Sequence, residues 1–82
     1  MRYTVVWLPS AQDELADIWI QAADRQAITA AAHRIDRTLA RDADRKGQIF
    51  HQHRVLIDAP LAVTFSVSVA DCLVTVTQVR RI

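Results

Sequence analysis

Leu61-Ala62-Val63-Thr64-Phe65-Ser66-Val67-Ser68-Val69 alternates without a break between large apolar and small residues. Successive side chains of a strand point to opposite faces, so period two marks a strand with one buried face and one open face. Leu61, Val63, Phe65, Val67 and Val69 take the buried face; Ala62, Thr64, Ser66 and Ser68 take the open one. Downstream, Ala70-Asp71 makes a tight turn and Cys72 to Val79 reads as the last strand, with Val74 and Val76 opposite Thr75 and Thr77. Upstream, Asp58-Ala59-Pro60 is a turn, preceded by a mixed run of β-formers from Ile49 to Ile57. The turns are short, so residues 49–80 form an antiparallel three-stranded meander.

The first half supplies one more strand and two helices. Residues 2–8 place Tyr3, Val5 and Trp7 on one face and Thr4, Val6 and Leu8 on the other. Apolar residues on both faces predict a strand inside the sheet rather than at its edge. Pro9-Ser10 ends it, and Ser10 is suited to cap a helix, with Asp13 three residues on. Ala11, Leu15, Ile18, Trp19 and Ala22 then recur at helical spacing, predicting a helix over about residues 10–22 with both tryptophans in the core. Asp24 caps a second helix, whose stripe is Ile28, Ala31, Ala32, Ile35 and Leu39 and which runs to about residue 42. So short a gap makes the pair an antiparallel hairpin. A polar loop holding the only glycine, Gly47, follows. The expected fold is one two-layer α+β domain over 1–82, β-α-α-β-β-β, with the helical hairpin on one face of the sheet.

Eighty-two residues allow a single domain and a small core. A lone cysteine, Cys72, forms no intrachain disulfide and reads as a small strand hydrophobe in a reducing compartment. The 51% apolar content excludes a disordered chain, and no apolar run is long enough for a membrane span. The N-terminus begins as a strand with no signal-peptide pattern, so the protein is expected in the cytoplasm, away from membranes. Net charge is only +1, but residues 1–44 carry five cations against seven acids, and residues 45–82 five cations against two acids. Nine of the ten cations are arginine, the side chain that grips phosphate or carboxylate as a planar fork. The second half is therefore the better candidate for an anionic partner.

Three stretches carry a resemblance. Tyr3-Thr4-Val5-Val6-Trp7-Leu8-Pro9-Ser10-Ala11 runs into Asp13-Glu14-Leu15-Ala16-Asp17-Ile18-Trp19. Arg54-Val55-Leu56 precedes Pro60-Leu61-Ala62-Val63-Thr64-Phe65-Ser66-Val67. Val74-Thr75-Val76-Thr77-Gln78-Val79-Arg80-Arg81 comes last. In order and spacing these resemble the RelE/ParE superfamily of type II toxin–antitoxin systems, across nearly the whole chain. The resemblance implies a bacterial growth-inhibiting toxin, of the kind that also serves plasmid stabilisation, neutralised by a cognate antitoxin. RelE-like members bind and cut messenger RNA on the ribosome without a metal or cofactor; ParE-like members inhibit DNA gyrase.

Cleavage of RNA by its own 2′-hydroxyl needs a base, cations around the phosphorane, and an acid for the leaving oxygen. By resemblance, Arg54 and the C-terminal pair Arg80 and Arg81 are the candidate cations. Arg54, Arg81 and His53 form the candidate catalytic set, and Arg45 and Lys46 extend the target-binding set. Two departures from the RelE-like pattern stand out: Leu61-Ala62-Val63-Thr64 holds no basic residue, and no C-terminal tyrosine follows Arg81, Tyr3 being the only one. Activity is thus open between a ribosome-dependent endoribonuclease, a gyrase inhibitor and an inactive antitoxin-binding module.

His51 and His53 share a face of a strand. They read as an acid–base pair, as two metal ligands without a third nearby, or as plain exposed imidazoles; no metal site is expected. Arg34, Arg37 and Arg41 form one helical stripe, with Asp36, Asp42 and Asp44 close enough to neutralise it. The open sheet face, with its apolar rims, is the expected seat of a disordered antitoxin segment that folds on binding.

Overall fold

A computed structural model describes residues 2–43, 48–50 and 53–82. The elements are β1 (Thr4–Trp7), α1 (Pro9–Gln21), α2 (Arg25–Asp42), β2 (Gln48–Phe50), β3 (His53–Asp58), β4 (Leu61–Ser68) and β5 (Leu73–Arg81). They build one mixed sheet in the order β1-β5-β4-β3-β2. The β3-β4-β5 meander is antiparallel, as the period-two pattern predicts. A register irregularity between Thr64 and Phe65 displaces the β4–β5 pairing by one residue. Leu61, Val63 and Phe65 of β4 and Val74, Val76 and Val79 of β5 are almost wholly buried under the helices. From α2, Ile28, Ala31, Ile35 and Leu39 complete this core at helical spacing. Tyr3 packs into it too.

Four expectations need correction. The run from Ile49 to Ile57 is two strands rather than one: β2 pairs antiparallel with β3, Gln48 opposite Val55 and Phe50 opposite His53. The first strand lies at an edge, parallel to β5 alone. Its second apolar face, Val6 and Leu8, is exposed rather than covered, so apolar residues on both sides did not mean two neighbours. Helix α1 begins at Pro9 with Leu8 as its unassisted cap, which places Ser10 inside the first turn. Proline lacks the N–H that a first turn leaves unused, so the helix starts there without help. Cys72 is not in the last strand. It occupies a turn at φ 50, and its N–H bonds Val69 O at 3.2 Å while Ser68 and Asp71 exchange side-chain hydrogen bonds beside it.

Strand β5 holds the molecule together. It lies between β1 and β4, and α1 packs mainly against it. Thr4 N–H donates to Cys72 O at 2.8 Å and Leu8 N–H to Val76 O at 3.0 Å, closing the two ends of the β1 ladder. Tyr3 N–H donates to Ala40 O at 2.8 Å and ties the strand to the end of α2.

Candidate functional site

Strand β1 covers β5 only from Leu73 to Val76. Beyond that point the edge of β5 would expose backbone donors, and Glu14 of α1 fills the gap. Its Oε1 accepts Val79 N–H at 3.1 Å, and its Oε2 accepts from Arg80 Nη1. One residue on, Arg81 forks onto Asp24 with two bonds of 2.9 Å. Arg80 holds the Glu14 carboxyl below its ordinary range, helped by the Val79 N–H; Arg81 does the same for Asp24. In return, Asp24 raises the Arg81 guanidinium. Asp24 does precede α2 as foreseen, but its side chain caps nothing there, because Arg81 has taken it.

The third candidate cation is likewise engaged. Arg54 on β3 donates through Nη1 to Ala43 O at 2.9 Å, satisfying a carbonyl at the end of α2. His53 is exposed at the start of β3. Arg45, Lys46 and His51 lie outside the described residues. Among the described residues no three His, Cys, Asp or Glu side chains gather as metal ligands would. No described helix is long and apolar enough to cross a membrane. The structure therefore ties each described candidate arginine to a partner in the chain: Arg54 to the end of α2, Arg80 and Arg81 to the helical hairpin.

The helix side presents a different feature, which the sequence reading missed. A groove of about 980 Å³ runs between α1, α2 and β1. Trp7, Leu15, Trp19, Ile20 and Ile28 give it a strongly apolar lining. Trp19 was expected in the core, yet it is 41% exposed, and Ile20 and Val6 beside it are 61% and 42% exposed. The cause is that α1 leans on β5 and touches α2 only sparsely, leaving the cleft between the helices unfilled. Both indoles are fixed by polar bonds at 3.2 Å: Trp7 Nε1–H donates to Asp36 Oδ1, and Trp19 Nε1–H to Thr29 Oγ1. The sequence held one signal for this groove, Ile20, a large apolar residue off the α1 stripe.

The groove continues into a shallower depression bordered by Arg25, His33, Arg34 and Arg37, with no carboxylate in its lining. Arg34 is committed to Asp58 of β3, not to the acids near it on α2. Arg25 stacks 4.6 Å above the Trp19 ring and donates to Trp19 O and Ile20 O at the end of α1. Among the described residues, Arg25 and Arg37 have no ion-pair partner.

No family model and no curated protein matches the sequence. Solved structures do match in fold. A chain of the toxin–antitoxin complex RelBE2 from Mycobacterium tuberculosis gives a TM-score of 0.79 at 14% identity, over 100% of this chain and 93% of that one. A chain of the chromosomal ParDE TA system from P. aeruginosa gives 0.73 at 13% identity, over 99% and 97% respectively. The chain thus has the RelE/ParE-like fold, helical hairpin over an antiparallel meander, that its residue pattern predicts.

Proposed function

We propose that this chain is the toxin component of a bacterial type II toxin–antitoxin system, arresting growth through a macromolecular target and neutralised by a cognate antitoxin. One observation carries the reading: its whole length shares a fold with nearly the whole length of chains from two such complexes. The arginine pairings refine it. Cations held by Glu14, Asp24 and Ala43 O are poorly placed to meet a phosphorane. They favour a toxin that acts in the cytoplasm by binding its target, gyrase or ribosome, over one that cleaves RNA with Arg54, Arg81 and His53.

The test is induction of the chain from a tight promoter, with and without the small open reading frame beside its gene. Growth arrest that the second reading frame relieves is the expected result; unimpaired growth on induction sinks the proposal. Mapping 5′ ends on ribosome-bound messenger RNA during arrest separates the mechanisms. Intact messages are expected, and new A-site ends would restore the ribonuclease.

A further inference from the structure

The outer face of α2 carries more cation than its neighbours neutralise. Arg25, Thr29, His33, Arg37 and Arg41 are exposed there and follow one another at four-residue intervals. At 1.5 Å per residue, each step is about 6 Å and the whole line about 24 Å. The acids that could offset it are mostly engaged elsewhere. Asp36 accepts the Trp7 indole N–H. Asp24 is held by Arg81, and Asp58 holds Arg34. Asp42 is half-buried, next to Arg41 in sequence, and pairs with no cation among the described residues. Arg37 and Arg41 likewise have neither an ion pair nor a hydrogen bond among the described residues.

The depression on this face is lined almost entirely by hydrogen-bond donors. Arg25, Gln26, Thr29, His33, Arg34 and Arg37 surround it, with only Trp19 and Ala30 apolar and no carboxylate. Thr29 Oγ1 accepts the Trp19 indole N–H, which leaves its own hydroxyl hydrogen to donate. Arg25 commits Nε and Nη2 to the end of α1 and keeps Nη1. A surface of donors suits a ligand made of acceptors, and arginine, threonine and glutamine are side chains that position a phosphate backbone. An acidic protein segment is the poorer occupant. It also brings apolar side chains to bury, and in this depression it meets only Ala30 and Trp19, over whose ring Arg25 stacks at 4.6 Å. A second copy of the chain is poorer still, since an isologous contact sets the basic line against its own image.

We propose that the outer face of α2 binds the phosphate backbone of a nucleic acid, with Arg25, Arg37 and Arg41 as its charges and Gln26, Thr29 and His33 as further donors beside them. Contacts to phosphate read no sequence, so RNA and DNA are both eligible. None of His53, Arg54, Arg80 and Arg81 lines the depression, so this face anchors a nucleic acid and does not cut it. The inference goes beyond the toxin reading and does not need it.

The probes are an RNA duplex, a DNA duplex of the same sequence and a poly-glutamate peptide, each carrying a fluorophore and titrated with the full-length chain at about 50 to 200 mM salt. Both duplexes are expected to bind at about 10⁻⁶ to 10⁻⁴ M, with log affinity falling linearly in log salt. The double substitution Arg37→Ala with Arg41→Ala removes two phosphate contacts. It should make the DNA salt slope shallower by about 1.8 and weaken binding at least about tenfold. Both side chains are exposed, so circular dichroism is expected to remain that of the parent. Tighter binding of RNA or of DNA names the source of the phosphates, and equal affinity shows contact to the backbone alone; all three keep the site. No duplex binding at low salt, an unchanged slope in the double variant, or poly-glutamate bound as tightly as the duplexes overturns it. Amide shifts in the parent chain give an independent reading. Centred on Thr29, His33 and Arg37 they support the proposal; centred on Thr64, Ser66 and Thr75 they overturn it. Binding is read on the purified chain and growth arrest in cells, so failure of either reading leaves the other in place.

Discussion

Arg80 and Arg81 at the end of β5 and Arg37 on α2 are the same side chain in opposite circumstances. The first two come from the basic half of the chain and are bound to carboxylates from the acidic half. Arg37 comes from the acidic half and, among the described residues, has no ion pair. Charge counted along the sequence does not show which cations are paired within the chain. What matters is which cations the fold leaves available. At the β5 end they serve to hold the helical hairpin onto the sheet. Beside the groove, Arg37 is exposed and forms no ion pair among the described residues.

That contrast can be broken at several points. If the sheet is held by its core and the ion pairs only trim it, core truncation must dominate. Phe65→Ala, at a fully buried position, is expected to cost about 3–5 kcal/mol in urea denaturation. A Glu14→Gln loss of similar size would show the clamp to be primary. Arg54→Ala removes the bond to Ala43 O at the end of α2 and should cost about 1 kcal/mol. No loss there would return Arg54 to the pool of cations free for a target.

The Glu14 and Asp24 pairings sharpen the comparison through pH. Both carboxyls titrate below their ordinary values, so in acid the unfolded chain takes up protons before the folded one. The stabilisation is full above the ordinary value of 4.5 for Glu14 and disappears as pH falls through its lowered folded value. Glu14→Gln should flatten the acid limb of a thermal-melting profile by lowering stability modestly at pH 7, where the pairing is intact, and changing it little in acid, where the Glu14 carboxyl is already protonated. The smallest effect belongs to the groove: Ile20→Ala, at an exposed position, is expected within about 0.5 kcal/mol of the parent. A large loss there would mean that Ile20 serves the fold rather than a partner.

The β4 pattern, the two helical stripes and the element order were all legible because each is local and periodic. What escaped depends on distance along the chain. Glu14 and Arg80 are 66 residues apart, Asp24 and Arg81 57, and Arg34 and Asp58 24. Nothing in local spacing joins them, so Arg34 was paired with its helical neighbours and Arg80 and Arg81 were left for a target. The edge position of β1 escaped for a related reason. Period two shows which residues face the same way, but an apolar face turned to solvent reads like one turned to a neighbour. The groove was hidden in the same manner, since an apolar stripe on α1 predicts contact without showing how little of α2 it meets.

The pairing of β1 with β5 has a consequence for biosynthesis. The first strand is made before the other described elements, but its sole partner in the sheet, Leu73–Arg81, comes after all of them. The main packing surface of α1 arrives with that same strand. A nascent chain halted in the β4–β5 turn has neither the ladder for β1 nor a seat for α1. The β1–β5 ladder therefore closes only after every element between the two strands has been made.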